Sequence, residues 1–81
     1  MNIRVVAFAT AAETLGNGQL GLDLPAGATV ADLRTLLLAR FPALSPLWPR
    51  LAIAVDGTIV GADEPLAEGA EVALLPPVSG G

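Results

Sequence analysis

The sequence predicts a small α+β domain in which a mixed sheet of about five strands is covered by one main helix. The 81 residues are 53% hydrophobic, enough for one domain with a single core. Short apolar or alternating segments of strand length lie near both ends of the chain, and only the segment from Val30 to Phe41 has helical periodicity over several turns. Between two of the later apolar segments stands Asp56-Gly57, a strong signal for a two-residue hairpin turn of type I′.

The first third of the chain predicts a hairpin. The run from Ile3 to Ala9 is apolar except for Arg4, which indicates a central strand. Residues 11–15 suit a short helical turn that ends at Gly16. The segment from Leu20 to Leu24 alternates strictly, so we expect a half-buried strand with its three leucines inward.

The central segment predicts the main helix. Thr29 is a good N-cap, and Asp32 follows three residues later, near the positive end of the helix dipole. One helical stripe is apolar and should cover the sheet: Val30, Leu33, Leu37 and Phe41, with Leu36 beside it. Arg40 suits the last turn, and Pro42 ends the helix.

The rest of the chain predicts three more strands. Residues 42–50 contain three prolines and indicate an irregular connection in which Trp48 is partly buried. Strands are then expected at 51–55, at 58–60 after the Asp56-Gly57 turn, and at 70–75. The order β-β-α-β-β-β, with the strongly apolar first and last strands side by side at the centre, is the β-grasp arrangement of ubiquitin.

The C-terminal residues form a second functional unit in this prediction: residues 1–75 are the β-grasp domain and residues 76–81 are a protruding tail. Pro76 and Pro77 have no N–H group and a fixed φ, so they end the last strand and extend the chain stiffly away from it. Gly80 and Gly81 lack Cβ atoms and can enter a slot too narrow for other residues. Such a tail suits delivery of the C-terminal carboxylate into another protein's active site.

The composition argues against an enzyme that acts alone. The chain has no Cys, His, Lys or Tyr, which removes the usual transition-metal ligands and the commonest acid–base and covalent catalysts, so we expect no metal site. The net charge of −4 disfavours binding to nucleic acid or an anionic membrane, both of which require a basic surface. A partner with a basic docking surface would account for this charge, and so would solubility alone.

Several motifs that resemble catalytic or ligand-binding sites are better explained as ordinary structural features. The segment Gly16–Gly21 matches G-x-G-x-x-G, but it precedes a predicted strand and not a helix, so it is not a dinucleotide site. The acid pairs Asp63-Glu64 and Glu68/Glu71 are expected to be solvated loop charges, and Ser79 has no base in the chain to activate it. The apolar start is too short for a secretory signal, and its removal would delete a strand, so we expect a cytoplasmic protein.

Strand alternation predicts a partner-binding patch. If the helix covers the face that carries Ile3, Val5 and Ala7, the opposite face carries Phe8 and Leu75, with Ile59 the analogous residue beside Val60. Exposed large apolar groups near the root of a functional tail indicate a docking surface for another protein. A covering loop or a β-bulge that reverses the alternation is the competing explanation.

Five segments of the chain form a known pattern: Val5–Ala9, Glu13–Gly16, Thr29–Leu33, Val55–Gly57 and, most specifically, the ending from Pro65 to Gly81 with its Pro-Pro-Val-Ser-Gly-Gly. In these segments the chain resembles, over its whole length, the MoaD-type sulfur carriers, the small subunits of molybdopterin synthase within the ubiquitin-like MoaD/ThiS family. Two positions depart from the family pattern: Ala12 stands where a basic residue is common, and Leu74-Leu75 where aromatics are common.

The resemblance implies a mechanism in which this chain carries sulfur and partners do the catalysis. An adenylyltransferase similar to ubiquitin-activating enzymes would use ATP to adenylate the Gly81 carboxylate, and a persulfide protein would supply sulfur to give a thiocarboxylate. The tail would then enter the large subunit of the synthase, in a heterotetramer of two small and two large subunits, and donate sulfur to cyclic pyranopterin monophosphate (precursor Z). Gly81 bears the reacting atom, and Pro76, Pro77, Val78, Ser79 and Gly80 insert with it. The chain itself binds no cofactor in this mechanism.

Three other functions remain open at the level of sequence. The chain could carry sulfur for thiamine synthesis or tRNA thiolation, act as a ubiquitin-like modifier joined to target lysines, or serve as an interaction module whose tail has no chemistry. A thiocarboxylate separates sulfur carriage from the last two, and the identity of the large partner separates the two kinds of sulfur carriage.

Overall fold

The computed structural model describes residues 1–76, so the predicted tail residues Pro77, Val78, Ser79, Gly80 and Gly81 lie outside the described part. The described elements are β1 (Asn2–Ala7), α1 (Ala9–Leu15), β2 (Gln19–Asp23), α2 (Val30–Arg40), β3 (Ala52–Val55), β4 (Thr58–Ile59) and β5 (Glu71–Leu75). Two short 3₁₀ turns, Pro42–Leu44 and Trp48–Arg50, lie between α2 and β3. Neither α-helix within residues 1–76 is long and apolar enough to cross a membrane.

The five strands form one mixed sheet in the order β2-β1-β5-β3-β4. The central pair, β1 and β5, is parallel, and every other neighbouring pair is antiparallel. A parallel pair requires a crossover connection, which the segment containing α2 provides. The predicted mixed sheet with the first and last strands at its centre is confirmed.

The core lies between the sheet and α2. Val30, Leu33 and Leu37 on the helix are buried in the same cluster as the inward residues of the sheet, among them Ile3, Val5, Val72 and Leu74. Leu22 and Leu24 are buried in this cluster and Leu20 packs against it, so the predicted inward leucines are confirmed. Trp48 is partly buried against the cluster, also as predicted.

A reciprocal cap starts α2 at the predicted residue. The backbone N–H of Asp32 donates to Thr29 Oγ1 at 3.4 Å, and the backbone N–H of Thr29 donates to Asp32 Oδ2 at 2.8 Å. These two bonds satisfy N–H groups that the first turn of a helix leaves without partners. Thr29 also forms an isolated bridge with Pro65, which joins the start of the helix to the loop before β5.

The hairpin turn between β3 and β4 has the predicted type. Asp56 has φ = 47° and Gly57 has φ = 88°, the two positive values that a type I′ turn requires. Asp56 Oδ1 accepts a hydrogen bond from the backbone N–H of Glu71 at 3.0 Å, so the turn is also attached to the start of β5.

The predicted first strand is wrong at its end. β1 stops at Ala7, Phe8 precedes α1, and Ala9 begins the helix with φ = 51°. An apolar run does not reveal where a strand turns, and alanine also favours helix, so Ala9 through Ala12 could be predicted either way. The other predicted boundaries differ from the observed ones by no more than a residue or two.

Candidate functional site

The tail begins at the centre of one end of the sheet. β5 ends at Leu75 and is followed by the exposed Pro76, which cannot extend the ladder because it has no N–H group. In the parallel register, Ala7 is paired with Leu74, so Phe8 and Leu75 each follow this pair by one residue. The sheet thus places Phe8 next to Leu75, where the tail begins, although Phe8 and Leu75 lie far apart in sequence.

One face of the sheet, opposite α2, is apolar near the tail. We call it the outer face, and its residues are Val6, Phe8, Ala52, Ala54, Ile59, Ala73 and Leu75. The register aligns Val6, Ala73, Ala54 and Ile59 in one row across four strands. At the usual strand spacing this row is about 14 Å long.

Side-chain size gives the outer face its shape. Its centre is formed by Ala54 and Ala73, whereas its border carries the larger Phe8 and Ile59, with exposed fractions of 46% and 61%. Leu75 is half-buried beside Ala52, its partner in β3. The alternation that predicted these exposures is confirmed, because Val5, Ala7, Val72 and Leu74 all point into the core. The small side chains of Ala54 and Ala73 leave a shallow depression between Phe8 and Ile59, and this depression can receive an apolar side chain of another protein.

The outer face becomes polar at the end away from the tail. There Arg4 Nη2 donates to Glu71 Oε2 at 2.8 Å. Both side chains are largely exposed, so this ion pair contributes little to stability and mainly limits the apolar area.

A small cavity lies where the tail leaves the domain. Its volume is about 140 Å³, and its lining includes Phe8, Thr10, Leu47, Arg50, Leu51 and Pro76. It is smaller than the roughly 300–1,000 Å³ of sites that hold cofactors or drug-sized ligands. The sequence analysis missed Arg50, which lies 26 positions before Pro76 and becomes its neighbour only in the folded chain.

The candidate motifs that the sequence analysis set aside have structural roles. The segment Gly16–Gly21 runs into β2 and not into a helix, so it lacks the strand–turn–helix context of a dinucleotide fingerprint. Glu68 Oε1 accepts a hydrogen bond from the backbone N–H of Asn2 at 3.1 Å, and Glu71 pairs with Arg4. Within residues 1–76, no three acidic, histidine or cysteine side chains converge as a metal site.

This architecture defines a class of protein. A β-grasp sheet whose central last strand is followed within a few residues by a Gly-Gly pair is typical of ubiquitin-like carriers. Residues 5–81 match the ThiS family, and the chain belongs to that family.

Bacterial, eukaryotic and archaeal proteins are similar to this chain over almost their full lengths. The molybdopterin synthase sulfur carrier subunit of Escherichia coli K12 is 39% identical over 83 residues, covering 98% of this chain and 99% of the relative. That of Chlamydomonas reinhardtii is 35% identical over 83 residues and covers both chains completely. The crystal structure of small archaeal modifier protein 1 from Haloferax volcanii superposes with a TM-score of 0.88 at 30% identity, covering 100% of each chain. The resemblance to MoaD-type ubiquitin-like proteins is therefore confirmed.

Proposed function

We propose that this chain is the sulfur carrier and small subunit of a molybdopterin synthase. The observation that carries the proposal is the combination of the ending Pro-Pro-Val-Ser-Gly-Gly after the central strand with full-length similarity to molybdopterin synthase sulfur carrier subunits. The chain has no His, Cys or Lys, which supports a mechanism in which the partner proteins supply the catalytic side chains.

Activation of the tail comes first in the proposed mechanism. A carboxylate is a poor acyl donor, so a ubiquitin-activating-like adenylyltransferase joins Gly81 to AMP from ATP and releases pyrophosphate. Attack by the terminal sulfur of a persulfide protein displaces AMP, and a thiol then reduces the acyl persulfide to release the Gly81 thiocarboxylate. The expected compartment for these reactions is the cytoplasm.

Sulfur transfer follows in the large subunit. The tail enters that subunit's active site, where the thiocarboxylate sulfur displaces an oxygen substituent of cyclic pyranopterin monophosphate. Water then cleaves the resulting thioester, which leaves the sulfur on the pterin and regenerates the Gly81 carboxylate. Each carrier supplies one sulfur of the dithiolene, which accounts for a heterotetramer with two small subunits. Gly80 gives clearance in the entry channel, Pro76 and Pro77 direct the tail, and the outer face with Phe8, Ile59 and Leu75 docks on the large subunit.

The tail is tested by shortening it. Deletion of Gly81 withdraws the reacting carbon by about 3.5 Å, whereas a displacement of about 1 Å already costs roughly 100-fold in an attack geometry. We expect no measurable product from the Gly81-deleted protein in a synthase assay reconstituted with the activating enzyme, the sulfur donor and the large subunit. Gly80→Val should also abolish product, because it adds a branched Cβ in the channel.

Two controls accompany these variants. Their melting temperatures should match that of the unmodified protein, since the tail follows a proline and glycine adds no packing. Both should still bind the large subunit, because the outer face is intact. Normal product formation by the Gly81-deleted protein would refute the tail mechanism.

A ubiquitin-like modifier is the second candidate. The observation that favours it is the similarity to small archaeal modifier protein 1 of Haloferax volcanii, 34% identical and covering 91% of this chain and 94% of that relative. The 81 residues contain no lysine, so one copy could not accept an isopeptide bond from another through a lysine side chain. Peptide mass spectrometry of cell extracts decides between the candidates, because a modifier leaves Gly81 linked to lysine Nζ atoms of other proteins.

A further inference from the structure

The cavity at the root of the tail carries a positive group that the proposed mechanism does not use. Arg50 is the only charged residue in its described lining; the others include Phe8, Leu47, Leu51 and Pro76. Within residues 1–76, the Arg50 guanidinium forms no hydrogen bond or ion pair, whereas the guanidinium of Arg4 is bound to Glu71. Phe8 and Pro76, the first residue of the tail, both line this cavity, so a protein that contacts both residues lies next to it.

Local structure holds Arg50 in place. It ends the 3₁₀ turn Trp48–Arg50, and its backbone N–H donates to Leu47 O at 2.9 Å. The next residue, Leu51, donates to Trp48 O at 3.0 Å, and Pro49 fixes φ in the middle of the turn. The backbone at Arg50 is therefore already ordered before a partner binds, which lowers the entropy lost on binding.

The charges of the domain are separated along the strands. Seven of the eight aspartate and glutamate side chains belong to elements that meet at the end where β5 begins: Asp23, Asp32, Asp56, Asp63, Glu64, Glu68 and Glu71. The remaining acid, Glu13, lies on α1 at the tail end, where Arg50 and Arg40 of the last turn of α2 also lie. The end that delivers the tail is thus less negative than the domain as a whole.

Together these observations point to an ionic contact with the protein that receives the tail. We propose that Arg50 and the cavity form a second docking site, which takes a glutamate or aspartate side chain from the large subunit. The apolar lining accommodates the aliphatic stem, and the guanidinium donates two hydrogen bonds to the carboxylate in a bidentate pair. At about 140 Å³ the cavity fits one side chain and is too small for the pterin or a nucleotide. The inference rests on the proposed function, since it specifies how that partner docks.

Charge reversal at Arg50 tests the proposal. The dissociation constant of the complex with the purified large subunit is measured for the unmodified chain and for Arg50→Glu, Arg50→Gln and Arg50→Lys. We expect Arg50→Glu to weaken binding about 30-fold or more, as for a buried interfacial charge. Arg50→Gln should weaken it less, and Arg50→Lys least, because lysine keeps the charge but not the bidentate geometry.

The matched control is Arg34→Glu, which makes the same charge change on the exposed side of α2, away from the tail. It should alter affinity only about two- to threefold, through long-range electrostatics. Unmodified binding should weaken with salt more steeply than binding of Arg50→Gln. In the partner, reversing one rim carboxylate to Arg should restore binding of Arg50→Glu, which a merely structural role of Arg50 would not produce.

The outcomes separate this inference from the proposed function. If Arg50→Glu and Arg34→Glu bind alike, or if no partner carboxylate restores Arg50→Glu, the docking site is refuted while sulfur transfer stands. If Arg50→Glu does not fold, Arg50→Gln and the partner reversals alone decide the question, and unchanged affinity in them refutes the site. The proposed function fails separately, through product formation without Gly81.

Discussion

Phe8 owes its exposure to the point at which the chain leaves β1. It follows the last strand residue, with φ = −132° and ψ = 156°, and the next residue, Ala9, turns the chain into α1 with a positive φ. The ring therefore stays on the outer face, next to Leu75 and the root of the tail. A large apolar group in this position suits an anchor for a protein that also holds the tail.

Replacing Phe8 by Asp should weaken binding to the large subunit much more than it weakens the fold. Loss of an apolar anchor commonly removes about 2 kcal/mol of binding free energy, or roughly 30-fold in affinity. The free energy of unfolding should change by only about 0.5 kcal/mol, as at other exposed positions. Calorimetric binding and thermal melting measure the two effects. Leu75→Asp should weaken binding in the same way but lower the stability more, because Leu75 is half-buried.

The control for this prediction is Ala39→Asp, which adds the same charge at an exposed position on α2, on the other side of the sheet. It should leave the affinity almost unchanged. Affinities of Phe8→Asp and Ala39→Asp that agree within error would remove Phe8 from the interface.

At the scale of elements, α2 supplies the helical side of the core. Its residues Leu33 and Leu37 are fully buried, and it is the helix that covers the inner face of the central strands. Its start is defined by the paired hydrogen bonds between Thr29 and Asp32, and the bridge from Thr29 to Pro65 connects it to the segment before β5. The position of the helix and that of the strand leading to the tail are therefore coupled at one residue.

Thr29→Ala should lower the free energy of unfolding by about 1 kcal/mol, because one helix N–H loses its capping oxygen. In a domain of this size that corresponds to a fall in melting temperature of roughly 4–8 °C. Thr35→Ala is the matched control, since Thr35 is exposed within α2 and its hydroxyl bonds only Ala31 O of the same helix. It should leave the melting temperature equal or slightly higher, because alanine is the better helix former. Equal melting temperatures for both variants would show that the cap contributes nothing.

The sequence predicted most elements because their signals are local. Asp56-Gly57 specified its turn type, Thr29 and Asp32 specified the helix start, and unbroken alternation in β1 and β5 placed Phe8 on the outer face. Leu44 shows where such signals end, since it is fully buried although it lies in a proline-rich connection with no periodicity.

The candidate site was predictable only in part. The tail and its exposed apolar neighbours follow from composition and alternation, but the cavity at the root of the tail joins α1, the connection before β3 and the end of β5. No sequence pattern indicates that these three segments lie side by side, so Arg50 became a candidate only in the folded domain. The bend at Ala9 escaped prediction for a related reason, since the hydrogen bonds of the sheet decide where β1 stops.

At the scale of the whole molecule, most acidic side chains and the apolar outer face lie at opposite ends of the sheet. Carboxylates gather where β5 begins, and the apolar outer face, the cavity and the exit of the tail gather where β5 ends. In the function proposed above, the partner proteins supply the catalytic groups, and this domain, which has no histidine, cysteine or lysine, presents the tail and the surface around it. The unit that transfers sulfur in that proposal is the complex.

The central claim is that Gly81 carries sulfur, and the intact mass of the protein tests it most directly. The chain is produced together with its activating enzyme and sulfur donor and purified under reducing conditions. Its intact mass is then measured by mass spectrometry beside that of the Gly81-deleted chain. We expect part of the full-length protein to gain the mass difference of one oxygen replaced by one sulfur, with fragmentation placing the change on Gly81, and no gain in the deleted protein. Full-length protein that carries only the carboxylate, although the activating enzyme consumes ATP in its presence, would contradict the account.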